Sequence, residues 1–113
     1  MLLPDAELAE IDPRKLHGYL LSRTHPIGRF KAAFFGALGY SAESWSLLEA
    51  DLRTQHLTQD ATPGEVTAHG QLFTIRAILK GPAAQSAWVV SVWFCPVAGG
   101  PPRLVTAYPG GSK

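Results

Sequence analysis

Cysteine is nearly missing from this sequence, and so is any excess of charge of one sign. The single cysteine, Cys95, excludes an internal disulfide and a cysteine-based metal cluster, which predicts a reducing cytoplasm, that of the producing cell or of a target cell into which the chain is delivered. Ten Lys and Arg against nine Asp and Glu leave a net charge of +1. No global basic field draws in nucleic acid, so a site for a polyanion has to be local. No apolar run approaches the roughly 20 residues that span a bilayer, and "MLLPDAELAEIDP" meets acids and a proline too early for a signal peptide. The chain is expected to be soluble, without a membrane partner. Also lacking are a Gly-rich phosphate loop, a His-Glu-x-x-His pair, a Gly-x-Ser-x-Gly elbow and a close carboxylate pair suited to glycosidase chemistry. The four histidines are scattered and the acids do not cluster with them, which points to a site with no metal and no cofactor.

What is present is apolar material for one core. With 113 residues, 46% of them hydrophobic, the chain lies below the size at which chains usually split, and residues 1–113 read as one domain. In "IDPRKLHGYLLS", Asp12 is placed to cap a helix that starts on Pro13 and runs to about Leu21, with Ile11, Leu16, Tyr19 and Leu20 at three- and four-residue spacing. Pro26 opens a second helix through "IGRFKAAFFGALG", with a predicted buried stripe of Ile27, Phe30, Phe34, Ala37 and Leu38 and a stop at Gly39. A third starts after Ser41, with Glu43 in its first turn and Trp45, Leu48, Leu52 and Leu57 on its buried face, and it fades in the polar "LTQDATPGE". Beyond that boundary the period becomes two. "EVTAHGQLFTIRAILKG" predicts two strands about a His69-Gly70 turn, and "SAWVVSVWFCP" and "PRLVTAYP" predict two more, joined by "VAGGP". The expected architecture is α+β, three N-terminal helices packed on one face of a four-stranded antiparallel sheet.

The stretch "SRTHPIGRFKAAFF" sets cations beside a histidine. His25 precedes a proline, so its backbone is biased toward an extended form and its ring sits in a loop ahead of a helix. There it either works as a general acid or base near neutral pH or caps the following turn. Arg29 and Lys31 fall in the first turns of that helix, where the dipole disfavours cations unless an anion is bound. They read as a clamp for a phosphodiester or as solvated helix charge. On the last strand, strict alternation puts Leu104, Thr106 and Tyr108 on one face and Arg103, Val105 and Ala107 on the other. Thr106 and Tyr108 are candidates to position a phosphate or orient a base, and Arg103 to bind substrate; a core face with two satisfied hydroxyls is the alternative. Trp88 and Trp93 fall on opposite faces of one strand. An exposed Trp93 or Phe94 would stack on a base, with core packing as the competing role. His17, His56 and His69 read as surface or turn residues with no function.

The opening "LPDAELAEIDPRKLHGYLLS", the segment "HPIGRFKAAFFGALGY" with a tryptophan shortly after it, and the ending "PRLVTAYP" resemble a family of small bacterial proteins catalogued as a domain of unknown function. Its members are met as free-standing chains and at the C-termini of large secreted polymorphic toxins. The resemblance runs from Leu3 to Pro109, and His25, Arg29, Lys31, Thr106 and Tyr108 fall within its two most distinctive elements, "HPxGRxKA" and "PRLVTxY". The layout of helices followed by a sheet is similar to the barnase, EndoU, colicin and RelE-like group of ribonuclease toxins. That likeness implies a metal-independent ribonuclease with its cleft between the helical layer and the open sheet face. On this reading His25 is general base at a ribose 2′-hydroxyl or acid at the leaving oxygen, Arg29 and Lys31 hold the scissile phosphate, and Thr106 or Tyr108 positions it. RNA is the substrate and a cognate antitoxin or immunity protein the partner. The near-neutral charge departs from the basic toxins of that group and suits a narrow target such as one loop of a tRNA. The alternative is a non-catalytic module that binds a small companion protein, to which strands rich in Val and Trp are suited.

Overall fold

The first helix and the turn that leads into the third begin where the sequence supplies a cap. The computed structural model describes residues 1–110. After a short 3-10 turn at Ala6–Leu8, the Asp12 carboxylate accepts the Arg14 N–H at 2.9 Å with Pro13 in the first helical position. The helix so started, α1, covers Pro13–Lys15 and continues as a π-helical segment, Leu16–Leu20, in which the Leu21 N–H reaches the Leu16 carbonyl. Helix α2 spans Gly28–Ala37. It ends as the glycine predicts: Gly39 has φ 104°, and the N–H groups of Gly39 and Tyr40 return to the carbonyls of Gly36 and Phe35. Ser41 and Ser44 form a reciprocal capping box around a 3-10 turn, Ala42–Ser44, that leads into α3, Trp45–Gln55.

Strands β1 (Thr62–Thr67), β2 (Gly70–Lys80), β3 (Ser86–Pro96) and β4 (Arg103–Pro109) follow and pair antiparallel in the order β1-β2-β3-β4. The class is therefore the expected α+β, with three helices and a four-stranded antiparallel sheet. Phe73, Ile75, Ala77 and Leu79 of β2 and Val89, Ser91 and Trp93 of β3 are buried in alternation. Against them pack Leu16, Leu20, Phe35, Leu48 and Leu52, all fully buried. Each such leucine contributes roughly 1.5–3 kcal/mol relative to exposure.

Four expectations need correction. The buried stripe of α2 is Gly28, Ala32 and Phe35, continued by Leu38, whereas Ile27 and Phe30 are 61% and 69% exposed; the helix is turned so that Gly28 meets the Tyr19 backbone and these two large side chains face outward. The β1–β2 turn pair is Ala68 and His69, and Gly70 opens β2, where a Cβ would strike the Cys95 carbonyl and the Phe94 ring. His56 is no surface residue but completely buried. Finally, β4 does not alternate strictly. Val92 pairs with Thr106 and the next residue, Trp93, with Leu104, so Val105 is an extra residue in a bulge. Leu104 and Ala107 both point into the core, while Arg103, Thr106 and Tyr108 share the opposite face.

Two contacts place α1 against the free edge of β4. The Glu10 N–H donates to the Pro102 carbonyl at 2.8 Å, and Leu104 N–H donates to the Glu10 carbonyl at 3.0 Å. From the other side, α3 holds the same segment: Arg53, paired with Glu49, donates to the Ala9 carbonyl at 2.9 Å.

Candidate functional site

The edge contact carries Tyr19, in the π-helical part of α1, to the last strand. Its hydroxyl lies 3.2 Å from Thr106 Oγ1. Helix α2 crosses just above, and Gly28 makes that crossing possible, because a Cβ there would collide with the Tyr19 carbonyl. The close approach brings the Lys31 ammonium to 5.4 Å from the Tyr19 ring centre, and Lys15, four residues before Tyr19 on α1, places its own at 5.8 Å. The His25 ring meets the Tyr19 ring edge-on at 5.0 Å. Tyr19, His25, Lys15, Lys31 and Thr106, from α1, α2 with its leading loop, and β4, are all half-buried.

Burial pushes the Tyr19 phenol up, but the hydrogen bond with Thr106 and the charges of Lys31 and Lys15 outweigh it and hold its pKa below the ordinary tyrosine value. His25 is oriented by the backbone. Its Nδ1 accepts the N–H groups of Ile27 at 3.1 Å and Gly28 at 3.0 Å, so the ring caps α2 and its own N–H is the one on Nε2. Of the two roles open to this histidine, the geometry is that of the cap: while it holds, Nε2 offers a hydrogen-bond donor and no lone pair.

Two clefts flank this cluster and share Asp12 and Lys15. One, of about 440 Å3, is lined by Arg14, Gly18, Tyr19 and His25. The other, of about 840 Å3, is lined by Glu10, Ile11, Leu72, Phe94, Arg103 and Leu104. The Asp12 carboxylate is engaged by the Arg14 guanidinium at 2.9 Å, which also lowers its pKa. The near-zero net charge hides a segregation: residues 13–42 hold Arg14, Lys15, Arg23, Arg29 and Lys31 and no acid at all.

A family model described as a domain of unknown function (DUF6883) matches residues 2–111. The chain belongs to this family. No curated protein and no solved structure matches it. The matched span of this DUF6883 domain takes in every residue of the cluster. Among the described residues no helix is long and apolar enough to cross a membrane.

Of the residues expected from the sequence, the structure brings together His25, Lys31 and Thr106, and it puts Arg103 in the adjoining cleft. Tyr108 shares the Thr106 face; neither lines a cleft, and Thr106 joins the cluster through the Tyr19 hydroxyl. Arg29 points away, its guanidinium 4.8 Å from the centre of the exposed Phe30 ring. Trp93 is fully buried and donates through Nε1 to Ser91 Oγ at 2.9 Å, so no face of it is open to a base. Its neighbour Phe94, on the other sheet face, is the aromatic that reaches a cleft. Tyr19 and Lys15 escaped the sequence reading because Tyr19 fits the apolar spacing of α1; the lysine four residues earlier, on the same helix face, was the available signal.

Proposed function

We propose that this domain cleaves RNA without a metal ion, by attack of a ribose 2′-hydroxyl on the neighbouring phosphorus. The observation that carries the reading is Tyr19, its hydroxyl held by Thr106 and its ring flanked by the ammonium groups of Lys31 and Lys15. The lowered pKa raises the phenolate fraction at neutral pH, and the phenolate takes the 2′-hydroxyl proton. The 2′-oxygen then bonds to phosphorus, the bond from phosphorus to the 5′-oxygen breaks, and that oxygen takes a proton from the Lys31 ammonium. The products are a 2′,3′-cyclic phosphate and a 5′-hydroxyl. Lys15 and the Nε2–H of His25 donate to the non-bridging oxygens, where negative charge builds. The cation-only stretch of residues 13–42 supplies the local field that the net charge lacks. A toxin role held in check by an antitoxin or immunity protein, and tRNA as the RNA cut, belong to the same proposal.

The test is induced expression of the wild type, Tyr19→Phe and His25→Ala in a bacterial host, with growth followed and total RNA mapped for new 5′-hydroxyl ends. Growth arrest and discrete ends from the wild type alone support the reading. Intact RNA with an equally soluble wild type sinks it.

One observation favours a non-catalytic binding module instead. Ile27 and Phe30 stand exposed on α2 beside Arg29, a surface suited to an acidic companion protein with apolar anchors. For such a module Phe30→Asp would abolish complex formation with the companion and Tyr19→Phe would be silent.

A further inference from the structure

The larger cleft has a chemistry that the cleavage step leaves unused. Its volume, about 840 Å3, falls in the range of roughly 300–1,000 Å3 found for small-ligand sites. One wall is the half-buried ring of Phe94, with the Arg103 guanidinium 4.9 Å from its centre. The two residues are cross-strand neighbours on β3 and β4, and Leu72 of β2 stands on the other side of Phe94 in the same row. Ile11, Leu104 and Val105 add apolar lining, and the carboxylates of Glu10 and Asp12 stand at the same cleft, Asp12 held by Arg14. Among the described residues no carboxylate lies within ion-pair distance of Arg103, so its planar cation is available to a ligand. An aromatic ring beside an unpaired guanidinium suits the face of a nucleobase, which is accessible only when the base is unpaired. Lys15 stands between the two clefts and lines both, where a phosphate joining one nucleotide to the next would lie.

We propose that this cleft is the subsite for an unpaired ribonucleotide base adjoining the scissile phosphate, the base stacking on the Phe94–Arg103 pair while Lys15 holds the intervening phosphate. The substrate class is thus single-stranded RNA, or a loop, and not duplex. The inference rests on the cleavage reading for the neighbouring cleft, yet it is separable from it by experiment.

Tyr19→Phe protein, used as the binding form, is titrated with a fluorescein-labelled single-stranded 10-nucleotide RNA and with the same strand annealed to its complement, and anisotropy is followed. The single strand is expected to bind at least about 10-fold more tightly than the duplex, in line with stacking on an unpaired base. Arg103→Ala and Phe94→Leu, each added to that background, are expected to weaken the single strand about 10-fold or more and to leave the duplex unchanged. Arg103→Lys separates stacking from charge: it keeps the cation and loses the plane, and should weaken binding nearly as much as alanine. Equal affinity for single strand and duplex, or wild-type affinity in both the Arg103→Ala and Phe94→Leu forms, overturns the subsite. If the wild type cleaves RNA with an unchanged KM after Phe94→Leu, the subsite falls and the cleavage reading stands. If the wild type cuts nothing but the single strand still binds and is lost in both variants, the cleavage reading falls and the subsite stands.

Discussion

Two histidines in this domain meet hydroxyl groups or hydroxyl-bearing neighbours, with opposite results. At the centre of the sheet, His56 Nδ1 lies 2.8 Å from Ser91 Oγ, which also accepts the Trp93 Nε1–H at 2.9 Å, and all three residues are sealed from solvent. Burial drives the His56 pKa down to about 4, so the ring is neutral at physiological pH. Among the described residues its Nε2 finds no hydrogen-bond partner. At the edge, His25 spends Nδ1 on capping a helix, and the nearby half-buried Tyr19 places its hydroxyl against Thr106. The central cluster gathers His56 Nδ1 and the Trp93 N–H on one serine hydroxyl and so ties β3 to the end of α3. The edge cluster leaves His25, Tyr19 and Lys15 lining a cleft, with the Lys31 ammonium over the Tyr19 ring. A histidine beside a serine is thus a structural pair where no substrate can enter, and the proposed chemistry draws on the wetter cluster, whose ingredients look less familiar.

The largest expected effect tests which cluster is functional. Tyr19→Phe removes one hydroxyl and keeps the ring, and on the proposed mechanism it lowers the initial rate of RNA cleavage by about 10²–10⁴-fold, the usual share of a general base, with little change in the thermal midpoint. A wild-type rate in that variant would take the function away from the edge cluster. Next in size is the acid sensitivity of the centre. The unfolded His56 takes a proton near the ordinary histidine value of 6.5 and the folded one only at about 4. Between those values the unfolded state binds more protons, so stability is lost as pH falls through that window, by about 3 kcal/mol in all at 1.36 kcal/mol per pH unit. Urea unfolding at pH 7 and pH 4.5 should show the loss, and His56→Gln should flatten it.

Ser91→Ala, smaller again, strands the Trp93 N–H and the His56 nitrogen in the core and is expected to cost about 1–3 kcal/mol of stability without altering the cleavage rate of the folded protein, as read by denaturation and by assay below the unfolding transition. The smallest effect falls on the edge. Thr106→Val removes a half-exposed hydrogen bond, costs about 1 kcal/mol or less, and moves the Tyr19 titration upward, which ultraviolet absorbance of the phenolate follows directly. An unmoved titration would mean that Lys31 and Lys15 alone set the phenol.

Much of this could be read along the chain because caps and periods are local. Asp12-Pro13, Ser41 and Gly39 act within a few residues of themselves, so the helix limits near them follow from the sequence. The alternation in "SAWVVSVWFCP" likewise marks β3 to the residue. What escaped depends on neighbours distant in sequence. Ile27 and Phe30 carry the right spacing for a buried stripe, yet α1 approaches through Gly28, and the large side chains are left outside. His56 lies just past the end of α3 in polar surroundings and is buried only because Ser91, 35 residues later, comes to meet it. The extra residue Val105 turns the second half of β4 over, and periodicity has no means of announcing a bulge.

By itself, then, the sequence determined the order and kind of the elements and the concentration of cations in residues 13–42, because backbone preference and charge are properties of short segments. The tertiary structure alone decided that Tyr19 would stand beside Thr106, 87 residues away, and that Phe94 rather than Trp93 would face a cleft. Those outcomes rest on which surfaces pack against which, and burial is settled by the whole fold.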